Sequence, residues 1–166
     1  MKPETGRKSP EIGVGVFCFD VEGKVVLMRR KGSLGDGMLG LPGGKLDFGE
    51  SLEMCARREV AEEIGCQLLD PVRLGGVSEE FYPGDESAPA RQFVTFYFAG
   101  GIVDVPKILE PLKCVELVRV DEAAMKEIPD LFAGTKDNIA EAFAIHRDRG
   151  FFVRETGATR PLFPRL

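Results

Sequence analysis

The 166-residue chain has no tryptophan, a single histidine (His146) and four cysteines, none of them in a C-x-x-C pair. That leaves too few soft ligands, wrongly spaced, for a zinc site. Cys18, Cys55, Cys66 and Cys114 instead read as buried, reduced thiols of a cytoplasmic protein. Long apolar runs are missing as well. The best of them, 14–19 and 93–98, hold six residues each, far short of the roughly 20 that a helical membrane span needs. The polar residues 1–10 lack the apolar stretch of a signal peptide. Positive charge is also in short supply: 22 Lys and Arg face 27 Asp and Glu, a net charge near −5. That balance excludes a nucleic-acid polymer as partner. The tight basic run Arg29-Arg30-Lys31 is sized for one small phosphorylated ligand.

What remains is an ordinary globular composition, 43% hydrophobic and 30% charged, at a length that suits one domain. A tail over 1–10, a domain over 11–150 and a C-terminal tail over 151–166 are expected. Strands are predicted at 12–19 and 24–30, at 66–80 with breaks near Asp70-Pro71 and Gly75-Gly76, and at 91–101 and 114–120. Residues 32–44 hold six glycines and a proline, which predicts a loop of demanding geometry. A helix is predicted over 51–64, with Ser51 as N-cap and Gly65 just beyond its end. Asp121 is expected to cap a short helix, and a longer one is predicted over 135–147. The fold class is therefore α/β (α+β), a mixed sheet with interspersed helices.

The 51–64 helix carries a conflict that points to chemistry. At about 100° per residue, Leu52, Cys55, Ala56 and Val60 share one side, and Glu59 and Glu63 fall on that same side. Glu62 lies roughly 60° from Glu59. Carboxylates in an apolar stripe repel one another and resist desolvation. A divalent cation reverses that penalty, and hard oxygens at i, i+3 and i+4 suit Mg²⁺ or Mn²⁺.

Gly44-x5-Glu50-x7-Arg58-Glu59-Val60-Ala61-Glu62-Glu63-Ile64-Gly65-Cys66 resembles the Nudix box, G-x5-E-x7-R-E-U-x-E-E-x-G-U. All seven fixed Gly, Glu and Arg positions are present, and Cys66 takes the last aliphatic place. The resemblance covers about 12–143 in element order, with a MutT-like approach at Arg30-Lys31-Gly32-Ser33 and Leu41-Pro42-Gly43-Gly44. It implies the Nudix fold, a mixed β-sheet between helices with a loop–helix–loop motif. It also implies metal-dependent attack of water on a nucleoside diphosphate linked to another group. Glu50 and Arg58 are then expected to brace loop against helix. Glu59, Glu62, Glu63 and the Gly44 carbonyl are expected to hold divalent ions, and Glu62 or Glu63 to act as general base. Gly43 lets the backbone approach metal and phosphate. By the same resemblance Glu116 is a further metal ligand, Arg30 and Lys31 contact phosphate, Phe132 forms a base-stacking wall, and Asn138 reads the base edge.

The function implied is hydrolysis of a nucleoside triphosphate, with a modified or oxidised base left open, to a monophosphate and pyrophosphate. Two alternatives stand beside it. One is an ADP-ribose or dinucleotide pyrophosphatase acting on substrates such as NADH or diadenosine polyphosphates. Relatives of that kind often carry a proline about fifteen residues after the box, where this chain has Glu80, with Pro83 a little beyond. The other is an inert Nudix-fold nucleotide sensor. All three helix glutamates are present, which weighs against it. A homodimer is left open as the assembly.

Overall fold

The computed structural model describes residues 9–32, 34–84, 89–149, 153–155 and 158–160. Apart from Ser9 and Pro10, the expected N-terminal tail lies outside them. So does most of the C-terminal tail; the described parts of it, Val153–Glu155 (β7) and Ala158–Arg160 (β8), pair antiparallel.

The central sheet is built from Glu11–Phe19 (β1), Val25–Arg30 (β2), Leu39–Gly40 (β3), Leu69–Tyr82 (β4), Arg91–Gly101 (β5) and Cys114–Val120 (β6). β1 pairs in parallel with β5, which pairs antiparallel with β4. β2 pairs antiparallel with both β3 and β6. Between β1 and β2 the ladder is confined to Phe19 opposite Val25, beside the turn that joins them. Beyond it the two strands part, and the segment 42–46 takes the vacated edge of β1. Val16 N–H donates to the Pro42 carbonyl at 2.9 Å, Val14 N–H to Gly44 at 2.8 Å, and Leu46 N–H to Ile12 at 2.9 Å. The glycine-rich approach is thereby fixed backbone to backbone.

Alternation along β1 divides the core in two. Val14, Val16 and Cys18 pack with Cys55, Ala56, Val60 and Ile64 of the helix Leu52–Ile64 (α1). Phe17 and Phe19 face the other way, against Met125 of Glu122–Glu127 (α2) and Ile139, Ala142 and Phe143 of Ile139–Arg149 (α3). Each sheet face is covered by helix, as the fold class requires.

The helix expected over 135–147 differs in its first turn, which is a 3-10 turn at Lys136–Asn138 leading into α3. The two-residue β3 lies inside what reads as pure loop and is defined by its pairing with Met28 and Arg29 of β2. β4 carries register shifts between Leu69 and Arg73 and between Leu74 and Gly76, at the two expected breaks. No helix among the described residues is long and apolar enough to cross a membrane.

Candidate active site

Helix α1 starts where its sequence says it must. Ser51 adopts extended backbone and its side-chain oxygen accepts from Met54 N–H at 3.1 Å. Gly65 closes the helix in the left-handed conformation at φ 66°, where glycine carries no Cβ penalty. These caps set the helix phase, which aims Glu59 and Glu63 at the 43–45 segment. Both carboxylates are buried, each 6% exposed.

Their contacts explain the paired glycines. Gly43 N–H donates to Glu63 Oε2 at 2.8 Å. A Cβ on Gly44 would overlap the Glu59 carboxylate, and one on Gly43 would overlap the Val14 carbonyl. Only bare backbone passes between β1 and these glutamates. The Gly44 carbonyl accepts from Val14 N–H and keeps a second lone pair free.

Arg58 organises the remaining carboxylates. Its Nε and Nη2 donate to Glu50 Oε1 and Oε2, both at 2.9 Å, the bidentate arrangement that a guanidinium offers a carboxylate. Nη1 donates to Glu59 Oε1 at 2.6 Å and to Glu62 Oε2 at 3.3 Å, and Nη2 also reaches the Lys45 carbonyl at 3.1 Å. Glu50 is only 11% exposed, and the Arg58 guanidinium holds its carboxyl down at about 2. Glu63 behaves in the opposite way. Burial pushes its carboxyl up to about 7, aided by the neighbouring Glu59 charge and opposed by the Gly43 hydrogen bond. Burial also raises Glu59, while Arg58 pulls it down.

Among the described residues no three Asp, Glu, His or Cys side chains already converge on an ion. The donor chemistry nevertheless fits a divalent cation. Two crowded, desolvated carboxylates resist ionising without a counter-charge. Arg58 stands in as that charge on Glu59 and Glu62, and every oxygen in the set is hard.

Several of these groups line a cavity of about 570 Å³, within the range of small-molecule sites. Gly43, Gly44, Arg58, Glu59 and Glu63 line it, as do Arg30, Lys31 and Phe132. Arg30 lies with its guanidinium carbon 4.3 Å from the Phe132 ring centroid and donates through Nε to the Leu34 carbonyl at 3.2 Å. It has no carboxylate partner among the described residues.

Four expected site residues stand apart from the cavity wall, Glu50 among them in its bidentate pair with Arg58. Glu62, about half exposed, shares the Arg58 Nη1 donor with Glu59 just outside the cavity lining. Glu116 is drawn off by Arg29, whose Nε donates to it at 2.6 Å across the β2–β6 ladder. Asn138 is neither a surface residue nor a cavity one. It is buried, 7% exposed, and its Nδ2 donates to the Gly134 carbonyl at 2.7 Å, which ties down the loop that carries Phe132. In this arrangement Asn138 holds the loop and does not line the cavity. Cavity residues that the motif does not cover include Lys113, Glu80, Tyr97, Thr95 and Arg91. Period-two alternation along β4 and β5 could have found several of them, since Glu80 and Tyr82 share one face and lie opposite Phe93 and Arg91.

Comparison with known proteins agrees with this geometry. The model of the NUDIX domain matches residues 9–142. A MutT NUDIX hydrolase from Burkholderia pseudomallei superposes with a TM-score of 0.70 at 24% identity, over 81% of this chain and 98% of that one. The MutT protein from Methanosarcina mazei Go1 gives 0.65 at 23%, over 85% and 97%. The NUDIX domain of Shewanella oneidensis NrtR, solved with ADP ribose, gives 0.64 at 21%, over 89% and 93%. At these identities the three solved structures speak for the fold, and the matched domain, with every fixed position of the box in place, assigns the chain to the Nudix family of pyrophosphohydrolases, which act on nucleoside diphosphate-linked substrates.

Proposed function

We propose that this protein hydrolyses a nucleoside triphosphate to the monophosphate and pyrophosphate with Mg²⁺, or Mn²⁺, as cofactor. The observation that carries this reading is Arg30, a half-buried guanidinium with no counter-ion among the described residues, in the same cavity as Glu59 and Glu63. Charge-assisted bonds are strongest to phosphate oxygens, so Arg30, with Lys31 beside it, favours a free triphosphate chain over a second sugar. Glu59, Glu62, Glu63 and the Gly44 carbonyl would hold the cation. When bound, it supplies neutralisation of the phosphate charge and activation of water. The chain does the rest. Gly43 and Gly44 admit the phosphates close to the backbone, Phe132 offers the base an aromatic face, and a helix carboxylate, Glu62 or Glu63, takes the proton of the attacking water. Glu50 and Arg58 hold the loop and helix in register for those steps.

Comparing kcat/KM for dGTP, 8-oxo-dGTP, dCTP, ADP-ribose, NADH and diadenosine tetraphosphate under one Mg²⁺ condition tests the reading. A triphosphate is expected to lead. A lead of tenfold or more for ADP-ribose or a dinucleotide replaces this reading with the pyrophosphatase one.

A further inference from the structure

In the same cavity, one carboxylate outside the box is held in a way that the catalytic machinery does not use. Glu80, partly buried on β4, lines the cavity and forms no ion pair among the described residues. Its neighbours are hydroxyls. Ser78 Oγ donates to Glu80 Oε1 at 2.5 Å, and Thr95 Oγ1 reaches Oε2 at 3.4 Å. Ser78 Oγ lies 3.2 Å from the Tyr97 hydroxyl. Because the one Ser78 proton goes to Glu80, Tyr97 is the donor in that second bond. Burial raises the Tyr97 phenol to about 12, so its proton is in place at neutral pH. The relay therefore runs from Tyr97 to Ser78 to Glu80. Gly134 faces the same three polar atoms, since a Cβ there would overlap all of them, and Asn138 fixes the Gly134 carbonyl. Glu80 is thus pre-oriented from two sides.

Aromatic surface flanks it. Phe132 lines the cavity with Arg30 across its ring. Tyr82 and Phe93 meet edge to face, with centroids 5.8 Å apart. Among the described residues Glu80 has hydroxyl partners and no cation, so a ligand that brings N–H donors would add to its hydrogen bonding. Two hydroxyls occupy part of its capacity of about four hydrogen bonds, which leaves acceptor positions on both oxygens.

We infer that Glu80 is the residue that reads the nucleobase, and that it selects an edge carrying two adjacent N–H donors. This inference rests on the nucleotide reading of the site. Among the common bases only guanine has such an edge, N1–H beside the 2-amino group. Adenine and cytosine place an acceptor next to their amino group, and uracil flanks its single N–H with carbonyls. A carboxylate facing those edges meets a lone pair.

The test separates base reading from turnover. Binding of guanosine and inosine 5′-monophosphates is measured by calorimetry in EDTA, where no hydrolysis intrudes. Inosine differs by loss of the 2-amino group alone. Wild-type protein should bind the guanosine nucleotide at least about tenfold more tightly, the discrimination expected of a bidentate pair. In Glu80→Gln, which turns one acceptor into a donor, the ratio should fall to about 1–2. Ser78→Ala removes the orienting hydroxyl but keeps the carboxylate, so it should lower the ratio part of the way, and it serves if E80Q does not fold. Equal binding of the two nucleotides, binding of neither, or a ratio that survives these substitutions overturns the inference. Failure of the wild type to hydrolyse any triphosphate instead refutes the proposed reaction, and leaves the binding ratio to be judged by itself.

Discussion

Glu63 sits where its charge is least welcome, and the cost can be worked out. Its carboxyl titrates at about 7 in the fold, against an ordinary value of 4.5. Between those values the folded state holds a proton that the unfolded chain has released, so stability falls as pH rises through that window. At about pH 8 in EDTA, that difference amounts to about 3 kcal/mol. At about pH 5 most of it is gone, leaving under about 1 kcal/mol. Glu63→Gln keeps the shape and can still accept from Gly43 N–H, but carries no charge to desolvate. The variant should therefore melt higher than the wild type in EDTA at about pH 8, by roughly 6–12 °C, and by far less at about pH 5. Mg²⁺ should raise the wild-type midpoint and narrow the difference, because the ion stabilises the fold that binds it. Activity moves the other way, with kcat lowered at least about 10²-fold. The measurement is paired calorimetric melts at the two pH values, with and without Mg²⁺. Equal midpoints for variant and wild type in EDTA at about pH 8 would refute the claim that burial of this charge is a cost that a cation removes.

Other substitutions test separate parts of the site. Arg58→Ala strands Glu50 without its bidentate partner and should lower the melting temperature, followed by circular dichroism; an unchanged midpoint contradicts the bracing role. Gly44→Ala drives a methyl into the Glu59 carboxylate, so kcat should fall by about 10²-fold while the far-ultraviolet spectrum stays native; normal turnover would show that the close approach is not needed. Arg30→Ala should raise KM for triphosphates by about tenfold or more, the worth of a charge-assisted bond, with a smaller effect on kcat; an unchanged KM removes Arg30 from the phosphate site.

How much of this was legible in sequence depends on whether the signal was local. The caps Ser51 and Gly65, the conflict of Glu59 and Glu63 with the apolar stripe, and the two breaks in β4 all follow from residues near one another in the chain, and the structure reproduces them. Asn138 could not be read this way. Its position at the head of α3 is local, but its side chain is committed by the Gly134 turn and by the close approach of Gly76. Glu116 is likewise decided by Arg29, 87 residues away. Lys113 and Tyr97 enter the cavity only because β5 and the end of the 102–113 connection are carried there by the sheet. The sign that could have flagged Glu80 was period two, Ser78, Glu80 and Tyr82 on one face, which a search for box residues passes over.

Product identity under turnover tests the central claim most directly. A nucleoside triphosphate is incubated with the protein and Mg²⁺, and the products are resolved by ion-exchange chromatography and ³¹P spectroscopy. Nucleoside monophosphate and pyrophosphate in equal amounts, with no reaction in excess EDTA, are the predicted result. Release of diphosphate and inorganic phosphate, turnover that persists under chelation, or no turnover of any triphosphate would contradict it.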